Sequence, residues 1–186
     1  MPDSGNPLRY TLFCDLDGVL VDFDRGVKEL TGKLPGEQKP RHMWPRLAQT
    51  PDFYTTLPWM PDGPELWRFI QPYGPIILTG LPLGKWAKPQ KLEWCRRELG
   101  SHVPVLAGWS KDKAEDARAY VMEEGLDGSH TLILIDDREK LREAWENRGG
   151  VFIHHRDAPT TIAALRDLGF TGPADEPEIP YGRHGT

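Results

Sequence analysis

Apolar residues along the chain come in two textures. Five short runs are apolar at successive positions and bounded by glycines or polar turns: YTLFC (Tyr10–Cys14), PIILTG (75–80), VPVLAG (103–108), TLILIDD (131–137) and VFIHH (151–155). Between and after them lie stretches of helical period at 89–99, 114–124, 139–147 and 160–168. A strand apolar at every position needs cover on both faces, so this alternation predicts a parallel sheet with helices on either side. The interval between the first two runs breaks the pattern. Residues 24–71 are rich in Pro, Trp and Tyr and too numerous for an ordinary connection, which predicts a small, mostly helical insert. The chain then divides into a core of residues 1–23 and 72–172, a cap of residues 24–71 and a flexible tail at 173–186, which has little to bury.

Composition narrows this only a little. A length of 186 residues suits one domain with a modest insert, and 38% hydrophobic with 27% charged residues is the balance of a soluble globular chain. No run approaches the ~20 apolar residues of a membrane span. The opening MPDSGNPLRY lacks the basic and apolar regions of a signal peptide, so a cytoplasmic location without a membrane partner is expected. Cys14 and Cys95 are far apart and lack metal-ligand spacing, the pattern of two isolated buried thiols. The net charge of −5 is spread without a basic stripe, which disfavours duplex nucleic acid but leaves a small phosphorylated ligand open.

The candidate chemistry sits where runs end. In an open parallel sheet, ligands bind beyond the carboxyl ends of the strands. The first run leads into Asp15 and Asp17, the second into Thr79 and Gly80, and the fourth into Asp136 and Asp137. DLDG alone also suits an Asp-rich turn with Gly18 at positive φ, but the second acidic pair after another run weighs against so plain a reading. Four carboxylates in one crevice would repel one another unless a cation neutralised them. A hard divalent ion answers that need, and Mg²⁺ works with few carboxylates plus substrate phosphate. His154, His155 and Asp157 read instead as a strand opening into a solvated loop.

DLDGVLVD, ILTG, the lysine of WSKDKAED and LIDDRE occur in this order over nearly the whole chain. They resemble the four motifs of the haloacid dehalogenase superfamily of phosphohydrolases. The resemblance implies a doubly wound sheet with a cap inserted after the first strand. It also implies Asp15 as nucleophile, Asp17 as general acid and base, and Thr79 with the Gly80 amide as phosphate contacts. Lys113 would be the motif lysine, with Lys91 as the alternative. Mg²⁺ would be held by Asp15, the Asp17 backbone carbonyl and Asp136, while Asp137 orients metal waters or the lysine. Haloalkanoate dehalogenases of this superfamily do not keep the second aspartate, so Asp17 favours phosphoryl chemistry through an aspartyl phosphate.

Within the superfamily, DLDGVLVDFD, FYTTLPWMPDGPELW, ILTG followed by PQKLEWC, KDK and LIDDR most resemble the 5′(3′)-deoxyribonucleotidases. That resemblance implies a nucleoside monophosphate substrate, base stacking by Phe23 with Trp44, Phe53 and Tyr54, and a second phosphate contact from Lys91. Three departures stand out: Gly80 replaces a usual Ser, Lys111 stands where an arginine precedes the DK pair, and the segment from Lys113 to Asp136 is long enough for an additional helix. Stacking tolerates any base, so no base is selected by these residues alone. Sugar phosphates, other small phosphomonoesters, phosphorylated nucleic acid ends, and a non-catalytic relative binding nucleotide or protein through the cap stay open. So does a homodimer.

Overall fold

In the computed structural model, which describes residues 10–126 and 130–172, all five apolar runs become strands of one parallel sheet. They are β1 (Tyr10–Cys14), β2 (Ile76–Gly80), β3 (Val105–Gly108), β4 (Thr131–Asp136) and β5 (Val151–His154). Their spatial order, β3-β2-β1-β4-β5, winds outward from β1 in both directions. The tail expected at 173–186 lies outside the described residues.

The helices are α1 (Phe23–Thr31), α2 (Pro40–Gln49), α3 (Gly63–Ile70), α4 (Ala87–Glu98), α5 (Lys113–Glu123), α6 (Arg142–Glu146) and α7 (Ala158–Asp167). The periodic stretch at 139–147 opens as a tight 3-10 turn, Glu139–Leu141, before becoming α6. Successive strand residues point to opposite faces, and each face has its own cover. Leu12, Cys14, Ile77, Ile133 and Ile135 pack with Leu66 and Ile70 of α3, Trp94 and Cys95 of α4, and Ile162 and Leu165 of α7. Phe13, Ile76, Leu78, Leu134 and Phe152 pack with Ala114, Ala117 and Val121 of α5 and Trp145 of α6. The fold is therefore a doubly wound α/β sheet, which is why its strands are apolar throughout. Both cysteines are free and buried. No described helix is long and apolar enough to cross a membrane.

The chain between β1 and β2 is largely helical. The Asp22 carboxylate caps α1 by accepting the Arg25 amide at 3.0 Å, and Gly32 ends that helix in the left-handed conformation. α3 lies along α7. The stretch between α2 and α3 is fastened to α4 by three side chains spaced one turn apart. Gln90 Oε1 accepts the Tyr54 amide at 2.8 Å, Trp94 Nε1 donates to the Leu57 carbonyl at 2.9 Å, and Glu98 Oε2 accepts Trp59 Nε1 at 2.9 Å. Positions four apart share a helix face, so one edge of α4 grips the whole stretch.

Trp94 is buried. Trp94→Phe keeps most of the ring but leaves the Leu57 carbonyl buried without its donor, which costs about 1–3 kcal/mol. Urea unfolding is expected to show that loss. An unchanged midpoint would mean that the carbonyl has found another donor.

Candidate active site

Strand register brings the acidic ends together. Cys14 stands opposite Ile77 on one side and Ile135 on the other, and the Asp15 amide continues the ladder to the Ile135 carbonyl at 2.9 Å. Asp15 is thereby placed beside Asp136. Strand alternation puts Asp15 and Asp136 on the face covered by α5, and Thr79 on the face covered by α4. Each helical layer then contributes one buried lysine. Lys113, the first residue of α5, sets Nζ 2.9 Å from Asp15 Oδ1 and 2.6 Å from Asp136 Oδ2. Lys91, within α4, donates to Asp17 Oδ2 at 2.6 Å, Thr79 Oγ1 at 3.0 Å and the Gly80 carbonyl at 2.8 Å. The two lysines that the sequence offers as alternatives occupy separate positions on opposite faces of the sheet.

The loop after β1 is tight. Leu16 donates its amide to Asp15 Oδ1 at 2.8 Å, and its carbonyl accepts the amides of Leu20 and Val21, each at 2.9 Å. Gly18 has a φ of +77°, and a Cβ there would stand 2.5 Å from Asp137 Oδ2. A side chain would be strained by the backbone angle and would also collide with the second acidic pair. Glycine follows the two aspartates because their loop must pass against Asp137.

Burial and crowding set the electrostatics. Burial pushes Asp136 up to about 6, with repulsion from Asp15 adding to it and Lys113 opposing. Asp137 is pushed up to about 7 by burial and then by Asp15 and Asp136. Burial also raises Asp17, against the pull of Lys91. For Lys113, burial acts downward, but Asp15 and Asp136 outweigh it and hold the ammonium above its ordinary value. The cluster carries more negative charge than Lys113 neutralises.

That excess fits a cation. Asp15, Asp136 and Asp137 each offer an oxygen, all within 4.8 Å of one another. Oxygens around one octahedral Mg²⁺ at about 2.1 Å stand about 3.0 Å apart when adjacent and about 4.2 Å when opposite, so the three would draw closer on sharing such an ion. The donors are all hard carboxylate oxygens. Asp137, expected to orient waters or the lysine, has an oxygen within the same 4.8 Å group.

Above the acidic floor is a cavity of about 510 Å³. Asp15 and Asp17 line it just after β1, Phe23, Trp44 and Tyr54 line it from the chain between β1 and β2, and Gly80, Ser110 and Arg138 line it too. Phe23 and Tyr54 stack with ring centroids 5.9 Å apart, and Lys91 Nζ lies 4.6 Å from the Tyr54 ring centroid. Phe53 is buried behind these rings, with its centroid 6.0 Å from Phe23 and 5.2 Å from Tyr54. Lys111 is exposed in the short turn that precedes α5. Asp17 Oδ1, unlike Oδ2, is buried without a hydrogen-bond partner among the described residues.

Several lining residues stand within the quoted motifs but have no role assigned from the sequence, among them Asp22, Asp24, Met60 and Ser110. Arg138 holds Asp136 through its backbone amide, 2.8 Å from Oδ1, while its guanidinium reaches Ser110 Oγ at 2.7 Å. His154 pairs with Glu139 at 2.9 Å, His155 Nδ1 lies 2.8 Å from Thr161 Oγ1, and Asp157 caps α7.

Searches for a matching family model and for a matching curated protein found none. Among solved structures, a hydrolase from Streptococcus pneumoniae TIGR4 is similar at 16% sequence identity and a TM-score of 0.52. The match covers 87% of this chain and 98% of that one. At this identity the likeness is one of fold.

Proposed function

We propose that the protein is a Mg²⁺-dependent phosphomonoesterase of the haloacid dehalogenase type, acting on nucleoside monophosphates, with deoxynucleotides as the first candidates. The observation that carries this reading is the meeting of Asp15, Asp136 and Asp137 within 4.8 Å at the base of a cavity lined by Phe23, Trp44 and Tyr54. The motif resemblance and the hydrolase of similar fold support it.

In this reading an Asp15 oxygen attacks phosphorus and the bond from phosphorus to the leaving oxygen breaks, forming an aspartyl phosphate. That divides one hard hydrolysis into two displacements. Asp17 gives its proton to the leaving oxygen, then takes one from the water that opens the aspartyl phosphate. Lys91 fixes the carboxyl through Oδ2 at 2.6 Å, at the wall of the cavity where both transfers would take place. Burial raises this carboxyl and so favours the protonated form needed first. Lys113 keeps Asp15 and Asp136 side by side. Mg²⁺, held by Asp15 and Asp136 with Asp137 at hand, would offset the repulsion between the nucleophile and a phosphoryl dianion.

The insert's aromatic rings are the substrate-selecting part. Stacking on them is worth about 1–3 kcal/mol per base, enough to separate nucleotides from sugar phosphates but not one base from another. With Mg²⁺ supplied, a panel of phosphomonoesters is expected to show kcat/KM for deoxynucleoside monophosphates at least about tenfold above sugar phosphates. Equal rates would remove the nucleotide assignment. Absence of phosphate release from every ester, with and without Mg²⁺, would remove the enzyme.

A further inference from the structure

The cavity poses an electrostatic problem for an anionic substrate. Asp15, Asp17, Asp22, Asp24 and Asp137 all line it. Among the described lining residues, Arg138 is the one cationic side chain. Both buried lysines are already engaged by protein groups, Lys91 at three donors and Lys113 at two. An ammonium has three N–H donors, and those of Lys91 are matched by Asp17, Thr79 and the Gly80 carbonyl. Lys113 is buried between Asp15 and Asp136.

Arg138 differs from both. A guanidinium has five N–H donors; the one side-chain hydrogen bond it makes among the described residues runs from Nη1 to Ser110 Oγ at 2.7 Å, while its charge also acts on Asp137. Because Ser110 Oγ accepts that bond, its own proton is left to donate elsewhere. Gly80 makes the arrangement fit, since a Cβ at position 80 would overlap Ser110 Oγ. The absent side chain at 80 leaves room for a hydroxyl supplied from 110, beside the residue that follows Thr79.

We propose that Arg138 and Ser110 form the phosphoryl-recognising pair of this pocket, contacting the non-bridging oxygens of substrate and of product phosphate. The proposal rests on the phosphomonoesterase reading and assigns its anion-binding groups. A planar guanidinium with a neighbouring hydroxyl matches two oxygens of one phosphoryl group.

Inorganic phosphate is the probe, with affinity measured by calorimetry on the full chain with Mg²⁺ present. Arg138→Met is expected to raise Kd at least about tenfold, the loss of a charge-assisted pair, with Arg138→Lys falling between it and the parent. Ser110→Ala is expected to raise Kd about threefold. Gly80→Ala, by displacing the same hydroxyl, should match it, and the double variant should be no weaker than either single one. Lys140→Met, which removes an equal charge from an exposed position, serves as the control.

An Arg138→Met protein that binds phosphate within about twofold of the parent overturns the proposal. If that protein's parent still hydrolyses phosphomonoesters, the enzyme reading survives without this pair. Arg138-dependent phosphate binding in a parent that hydrolyses nothing would uphold the pair and sink the enzyme. A parent that neither binds phosphate nor hydrolyses any ester ends both.

Discussion

Asp15→Asn is expected to abolish phosphomonoester hydrolysis, lowering kcat by about 10⁴-fold or more, the scale on which removal of a nucleophile acts. The same change should leave the fold intact. An asparagine Oδ1 can still accept the Leu16 amide and Lys113 Nζ, the two groups that Asp15 Oδ1 now serves at 2.8 and 2.9 Å. It also removes a charge that pushes Asp136 and Asp137 upward. Melting in metal-free buffer at neutral pH is therefore expected at the parent temperature or above it, while activity disappears. Turnover near the parent level in a folded Asp15→Asn protein would exclude an aspartyl phosphate at this position.

Lys113→Met should produce the opposite pattern, a large loss of stability. Asp15 and Asp136 are almost fully buried, with Lys113 between them. Taking the cation away leaves two adjacent carboxylates without their shared counter-charge, and breaking a buried pair by removing one partner costs about 3–5 kcal/mol. Methionine fills most of the space, so the loss reports charge more than packing. If Asp15, Asp136 and Asp137 hold a divalent ion, adding Mg²⁺ should recover part of the stability by binding the folded state alone. Urea titrations with and without Mg²⁺ measure both effects. A Lys113→Met protein as stable as its parent, or one indifferent to Mg²⁺, would contradict the charge balance described for this site.

The sheet was legible because its five strands are apolar on both faces and end at glycines or charges, and the observed strands fall within those runs. The acidic ends were legible for a related reason, since Asp15 and Asp136 both close apolar runs and each is followed by a further aspartate. What the local pattern lacks is pairing order. That β1 lies between β2 and β4 sets Asp15 beside Asp136, and this comes from register across the sheet. The two lysines show the consequence: Lys91 and Lys113 look alike as isolated cations near strand ends, and only the faces of Thr79 and Asp15 reveal that each serves its own layer. The aromatics show it again at shorter range. Phe53 and Tyr54 are neighbours in one turn and pack edge to face, and of the two Tyr54 lines the cavity. Ser110 left a faint trace in the sequence as Gly80, a position without a side chain next to Thr79. That gap had no visible purpose until β3 brought the turn at 110 alongside.

The grip of α4 on residues 54–59 bears on how such an insert could change over evolution or in the laboratory. Gln90, Trp94 and Glu98 belong to the scaffold, yet they hold Tyr54, Leu57 and Trp59 in place. The insert is therefore no interchangeable cassette. A graft onto a related scaffold that omitted those three α4 positions would arrive without its anchors, whereas one that carried them would transplant the segment together with what holds it.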